Sequence, residues 1–172
     1  MKIALISCLK QDDYLKSWDE VPAEKLFVSD FVKLAKSYSE NIYGADKIYF
    51  LSTKYALLKP QQIVSPYDNE FGNEDVQRER CRRIISQLIL DGCDWEHDEF
   101  LILADNHYAP YIMETKMIQD IKMPLLEMDA TDTINYLAKA LNDKGLLSQS
   151  DISKLNFHNL IKATNDILNE SR

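Results

Sequence analysis

Glycine is scarce in this chain, four residues among 172, and none of the four belongs to a GxGxxG or GxxxxGK(S/T) arrangement. The two glycine-rich phosphate cradles are thereby excluded, and a phosphate would have to be held by lysines and helix amino ends. Proline adds only five residues, and no Gly-, Ser- or Pro-rich stretch has the composition of a flexible linker, which argues for one domain. The three cysteines, Cys8, Cys81 and Cys93, are odd in number and lack CxxC spacing; they read as reduced thiols of a cytoplasmic protein. No apolar run approaches bilayer-spanning length, and the start MKIALISC is too short for a signal peptide, so no membrane partner is expected. Basic residues are in deficit, 20 against 28 acidic, giving a net charge of -8. The average surface repels nucleic acid, and any such contact must be local.

What is present is an alternation of strands and helices. Ile3 to Ile6 is a continuous apolar run ending in Ser7 and Cys8, and Ile48 to Leu51 and Phe100 to Ala104 have the same form. Runs of this kind read as strands buried on both faces. Between the first two, Leu26, Phe27, Phe31, Leu34, Ala35 and Tyr38 recur at helical spacing, with Gly44 as the stop. The pattern predicts a second helix over Glu74 to Leu90, a third from about Pro110 to Asp120, and a fourth strand over Met123 to Met128. Crossover helices imply a mainly parallel sheet. The expectation is one α/β domain over residues 1–145, with about four strands flanked by helices and the strand order open. A helical extension over 146–172, carrying Ile152, Leu155, Leu160, Ile161, Ile167 and Leu168, would pack on the domain or form a homodimer.

In an open parallel sheet, ligands bind outside the carboxyl ends of the strands, where loops converge and helix dipoles point. That rule collects Ser7, Cys8 and Lys10 after the first strand. It adds Ser52, Lys54 and Tyr55 after the second, and Asp105, Asn106, His107 and Tyr108 after the third. Lys10 and Lys54 are candidates for an anion clamp, or are solvated lysines beside loops. Cys8 is a candidate nucleophile or a small core hydrophobe. His107 beside Asp105 suits general acid–base work with Tyr108 as a hydrogen-bond donor, or the segment simply starts a helix. Cys93, Asp94, His97 and Asp98 resemble a metal site only superficially, at the wrong end of the sheet, and no metal or cofactor is expected. In QRERCRRI, Arg78 with Arg82 and Glu79 with Arg83 share helical faces, as ordinary ion pairing or as phosphate contacts.

The stretch LSTKYALLKPQQIVSPYD resembles the LSxxYGLLxPxxxxxPY segment of the YaaA-like peroxide-stress proteins. A second group closer in size, small bacterial and phage proteins, begins with an apolar strand and SCxK and shares LSxKYGLLxP and PYD. The matching pieces here are ISCLK at Ile6 to Lys10, LFVSDF at Leu26 to Phe31, LSTKYALLKP, SPYD at Ser65 to Asp68, and LADNHY at Leu103 to Tyr108, in the family's order. The resemblance implies a compact α/β domain with a cleft lined by Ser7, Cys8, Lys10, Ser52, Lys54, Tyr55, Pro66, Tyr67, Asp68 and Tyr108. It also implies a nucleobase, nucleotide or nucleic-acid end as ligand. Two departures stand out: Ala56 occupies the usual glycine position, where it would strain the turn or narrow ligand access, and Gln11 and Asp12 follow Lys10 where a further lysine is common.

Three functional readings therefore compete. One is an enzyme of glycosidic cleavage or transfer, with Lys10 and Lys54 on anionic oxygen, Tyr55 or Tyr67 stacking on a base, and Asp68, Asp105 or His107 handling protons. The other is a non-catalytic, DNA-associated or stress-response binding protein using the same cleft. A mainly structural, dimeric role is the third.

Overall fold

A computed structural model of the chain describes residues 1–155. The elements run β1 (Lys2–Ser7), β2 (Val21–Pro22), α1 (Ala23–Leu26), α2 (Asp30–Tyr38), β3 (Lys47–Ser52), β4 (Ala56–Leu58), β5 (Ile63–Val64) and α3 (Glu74–Leu90). They continue with β6 (Glu99–Leu103), α4 (Ala109–Glu114), β7 (Asp120–Lys122) and α5 (Ala130–Asp143). The sheet has five strands in the order β4-β3-β1-β6-β7. β1 pairs in parallel with β3 and β6, β6 pairs in parallel with β7, and only β4 is antiparallel, to β3. β2 and β5 form a separate two-stranded ribbon. The mainly parallel α/β domain is as expected.

Side-chain alternation along the strands divides the core into two layers. Ile3, Leu5, Tyr49, Leu51, Phe100 and Ile102 meet α3 and α4 on one face. Ala4, Ile6, Phe50, Leu101 and Leu103 meet α1, α2 and α5 on the other. β1 is covered on both faces and both edges, which is why its apolar run is unbroken. The chain leaves β1 for β3 through α2 on one face, then crosses back past β1 to β6 through α3 on the other. Right-handed crossovers require that change of face when the direction of travel reverses. The reversal point lies between the carboxyl ends of β1 and β6.

Three local expectations need correction. The first helix is divided: α1 ends at Leu26, Ser29 caps a new start through the Val32 N–H at 3.2 Å, and α2 closes in a π-helical turn over Ser39–Tyr43. The fourth strand is not Met123–Met128 but Asp120–Lys122, and the third helix stops at Glu114. Backbone pairing decides this, because the parallel ladder with β6 takes Asp120, Ile121 and Lys122 opposite Glu99, Phe100 and Leu101. The sequel MPLLEMD turns away, with Leu125 alone fully buried. The strand β4 was hidden inside what reads as a turn. In the proposed extension, residues 149–155 are helical; Leu160, Ile161, Ile167 and Leu168 lie outside the described residues.

Candidate functional site

The turn after β3 is built around one hydroxyl. Ser52 Oγ accepts from the backbone N–H groups of Lys54 at 3.3 Å and Tyr55 at 3.1 Å, and lies 2.6 Å from the Tyr67 hydroxyl. A serine that caps its own turn does without the glycine a tight turn usually needs. Four residues on, the chain does require left-handed backbone: Ala56 has φ 64° and is fully buried in the α3-side core. Alanine at this position thus carries a conformational cost, of about 1–2 kcal/mol.

Residues 65–71 are strapped over the ends of β1 and β3. Gln11 clamps the Tyr67 backbone from both sides, its Nε2 donating to the carbonyl at 2.8 Å and its Oε1 accepting the N–H at 2.9 Å. Asn69 Nδ2 donates to the Leu9 carbonyl at 2.5 Å, and Asn69 Oδ1 accepts from Thr53 Oγ1 at 2.9 Å. Lys54 is exposed with its ammonium 5.1 Å from the Tyr55 ring centre and 5.8 Å from that of Tyr67, while the two rings meet edge to face at 5.5 Å. Burial pushes the Tyr67 phenol up, with the hydrogen bond to Ser52 acting in the other direction.

After β6, Asp105 Oδ1 accepts the His107 N–H at 2.9 Å and faces His107 Nδ1 at 3.2 Å. The imidazole stacks on Phe71 with ring centres 3.7 Å apart, tying this loop to the strap. Tyr108 is fully buried, and burial drives its phenol well above the ordinary value. Cys8 is likewise fully buried; its thiol donates to the Ile6 carbonyl at 3.5 Å, and burial alone raises its pKa strongly. That environment suppresses a thiolate, so Cys8 is packing, not nucleophile.

Between the ends of β1 and β6, at the reversal point, lies a cavity of about 320 Å³. Ser7, Lys10 and Asp105 line it from the strand ends, Ser29 and Phe31 from the start of α2, and Ala130 and Thr133 from the start of α5. Leu9, Leu125, Met128 and Ile134 make the rest of its wall apolar. The fold therefore gathers Ser7, Lys10 and Asp105 at one cavity, and Ser52, Lys54, Tyr55 and Tyr67 in a cluster of their own after β3, outside that lining. Asp68 is exposed and does not line the cavity.

Elsewhere the charged clusters are satisfied. A depression of about 490 Å³ at the opposite end of the sheet holds Lys47, Lys59 and Asp91, which pair with one another, Lys59 to Asp91 at 2.5 Å. In the acidic loop, Asp94 accepts from Glu96, His97 and the His97 ring, while Asp98 pairs with the amino terminus, and Cys93 is buried against Tyr49. No three of these side chains converge as metal ligands among the described residues. Arg78 pairs with Glu114 at 3.0 Å and Arg82 with Glu79 at 3.3 Å.

Arg80 is the residue that sequence reading passed over. It is 5% exposed, on the buried side of α3 beside Cys81, Ile84 and Leu88. Its Nε donates to the Thr53 carbonyl at 3.0 Å and its Nη2 to those of Glu70 and Phe71, both at 2.9 Å. One guanidinium thus joins the turn after β3 to the strap. The signal was available: Arg80 stands four residues before Ile84 and eight before Leu88, in the apolar stripe itself.

Comparisons with curated proteins and with solved structures give no match. A family model does match, over residues 3–139, from the start of β1 into α5 and so across the whole sheet. The chain belongs to that family, the family of unknown function DUF6884.

Proposed function

We propose that the cleft at the carboxyl ends of β1, β3 and β6 binds a nucleobase- or nucleotide-like small molecule. The observation that carries this reading is the position and lining of the 320 Å³ cavity. It sits where the strand order reverses, the usual ligand position in such sheets, and its volume is at the lower end of small-molecule sites. Leu9, Phe31, Leu125 and Met128 offer apolar contact to a planar ring, Asp105 accepts from a base amino edge, and Lys10 attracts an anionic oxygen. The resemblance to YaaA-like proteins points the same way. If turnover accompanies binding, Asp105 is the carboxylate beside the ligand, with His107 as its proton partner, and glycosidic cleavage or transfer is the fitting chemistry.

A nucleic-acid end is the second reading, favoured by one observation. In the loop after β1, Tyr14 is 91% and Trp18 77% exposed, and bare aromatic rings serve as stacking platforms for unpaired bases.

Thermal-shift screening of nucleobases, nucleosides, nucleotides and short single-stranded DNA tests both, since a ligand of the native state raises its stability by mass action. A small-molecule shift lost in a folded Lys10→Ala, Tyr67→Ala variant supports the cleft. A shift confined to DNA and lost in Tyr14→Ala, Trp18→Ala supports the second reading. No shift with any compound removes the first.

A further inference from the structure

The sheet ends differently at its two edges. At one, Ala56, Leu57 and Leu58 of β4 are all buried, and the Leu57 N–H donates to Gln87 Oε1 of α3 at 3.0 Å. At the other, β7 pairs with β6 on one side only; no described segment pairs with its outer side, and Asp120 and Lys122 are exposed. A bare edge offers unpaired N–H and C=O groups to another strand, and proteins guard against this with short edge strands and charged side chains. β7 is short and charged, yet its two charges are opposite in sign and two residues apart, on one face. Within the chain they are unevenly used. Lys122 pairs with Glu99 at 3.5 Å, whereas Asp120 forms no ion pair among the described residues and stands directly opposite Glu99 in the ladder, like charge beside like.

We propose that β7 pairs antiparallel with β7 of a second copy of this chain, about a twofold axis through Ile121, joining two sheets edge to edge. A twofold axis sets the same strand against itself in opposite directions. Centred on Ile121, it places Asp120 of each copy opposite Lys122 of the other, so each carboxylate that faces Glu99 gains a cation on its free side. Moving the axis to residue 120 would oppose Asp120 to itself, and moving it to residue 122 would oppose the two lysines. Charge therefore selects one register. Apolar side chains bracket the strand along the chain: Met113 and Met117 before it and Leu126 and Met128 after it are all exposed. Flexible methionines suit a surface that packs against its own copy. The pairing is independent of what the cleft beside Lys10 binds.

Sedimentation equilibrium of the full chain, over about a hundredfold range of concentration, reads the association directly. The expected result is a monomer–dimer equilibrium in the wild type, weakened at least about tenfold in Asp120→Lys, because one substitution reverses the charge at two symmetry-related pairs. The fold is not at risk in that variant, since lysine at position 120 faces Glu99 and relieves the like-charge contact; far-UV circular dichroism checks this. Exchanging both charges, Asp120→Lys together with Lys122→Asp, should restore the wild-type association. A wild type that stays monomeric throughout overturns the proposal. So does a dimer that Asp120→Lys leaves intact, which places the contact on another surface. Loss in the single variant without recovery in the exchanged one overturns the register, and with it the pairing.

Discussion

The Ser52 and Tyr67 hydroxyls lie 2.6 Å apart, and this contact helps to join the two halves of the longest sequence signature, LSTKY and SPYD. Ser52 is fully buried, and its oxygen also holds two backbone N–H groups of the turn. Ser52→Ala should cost about 2 kcal/mol, because it removes a partner of the Tyr67 hydroxyl and frees the turn donors together. Tyr67→Phe should cost less, and a double-mutant cycle by urea unfolding should give a coupling of about 1 kcal/mol. Additive single effects would show that the contact contributes nothing beyond its parts.

Ala56 sets two effects against each other. Glycine there relieves about 1–2 kcal/mol of left-handed strain, while loss of the buried methyl removes about 0.8 kcal/mol of burial. Ala56→Gly should therefore shift unfolding stability by less than about 1 kcal/mol, where the same change at an ordinary buried position is clearly destabilising. Ala56→Val, with a branched side chain at positive φ, should be the worse variant. A loss of 2 kcal/mol or more in Ala56→Gly would mean that packing, not backbone strain, dominates at this position.

All three thiols are buried and their pKa values are raised by burial, Cys81 to about 12. Little thiolate exists at pH 8, and access is closed as well. An aromatic disulfide reagent should label the native protein only at the rate of its opening, and should label all three residues at once in denaturant. Fast native labelling of one cysteine would contradict the burial described for it.

Asp91 gives the acid limb of the stability curve a definite sign. Its hydrogen bond from Lys59, and then that from Tyr49, hold its carboxyl below the usual range. A group whose folded pKa is depressed adds stability above its unfolded value, near 4, and that stability is lost as pH falls through the lower folded value. Asp91→Asn should cost about 1–2 kcal/mol at pH 7 and converge with wild type at the acid end of the range. Chemical unfolding at a series of pH values reads this directly, and parallel curves would exclude the linkage.

Much of the local structure was written in the sequence, because it depends on neighbours along the chain. Apolar runs marked β1, β3 and β6, helical spacing marked α3, and the strand-end rule placed Ser7, Lys10, Ser52 and Asp105 at the carboxyl ends of strands. Boundaries that rest on partners were not so marked. β7 is three residues long and exists through its ladder with β6, and β4 exists through β3; backbone hydrogen bonds between distant segments carry no side-chain code.

Strand order belongs to the same class, and with it the reversal between β1 and β6 that creates the cavity. Arg80 lay in plain sight in QRERCRRI, but its importance depends on which carbonyls surround it, and residues 53, 70 and 71 reach it only after the strap has closed over Gln11. The sequence by itself determined a parallel α/β domain and which polar residues end its strands, since periodicity and turn chemistry are local. Only the tertiary structure decided which of those residues share a cavity and which charge is left buried without a counter-ion, because proximity between segments far apart in the chain arises when the core closes.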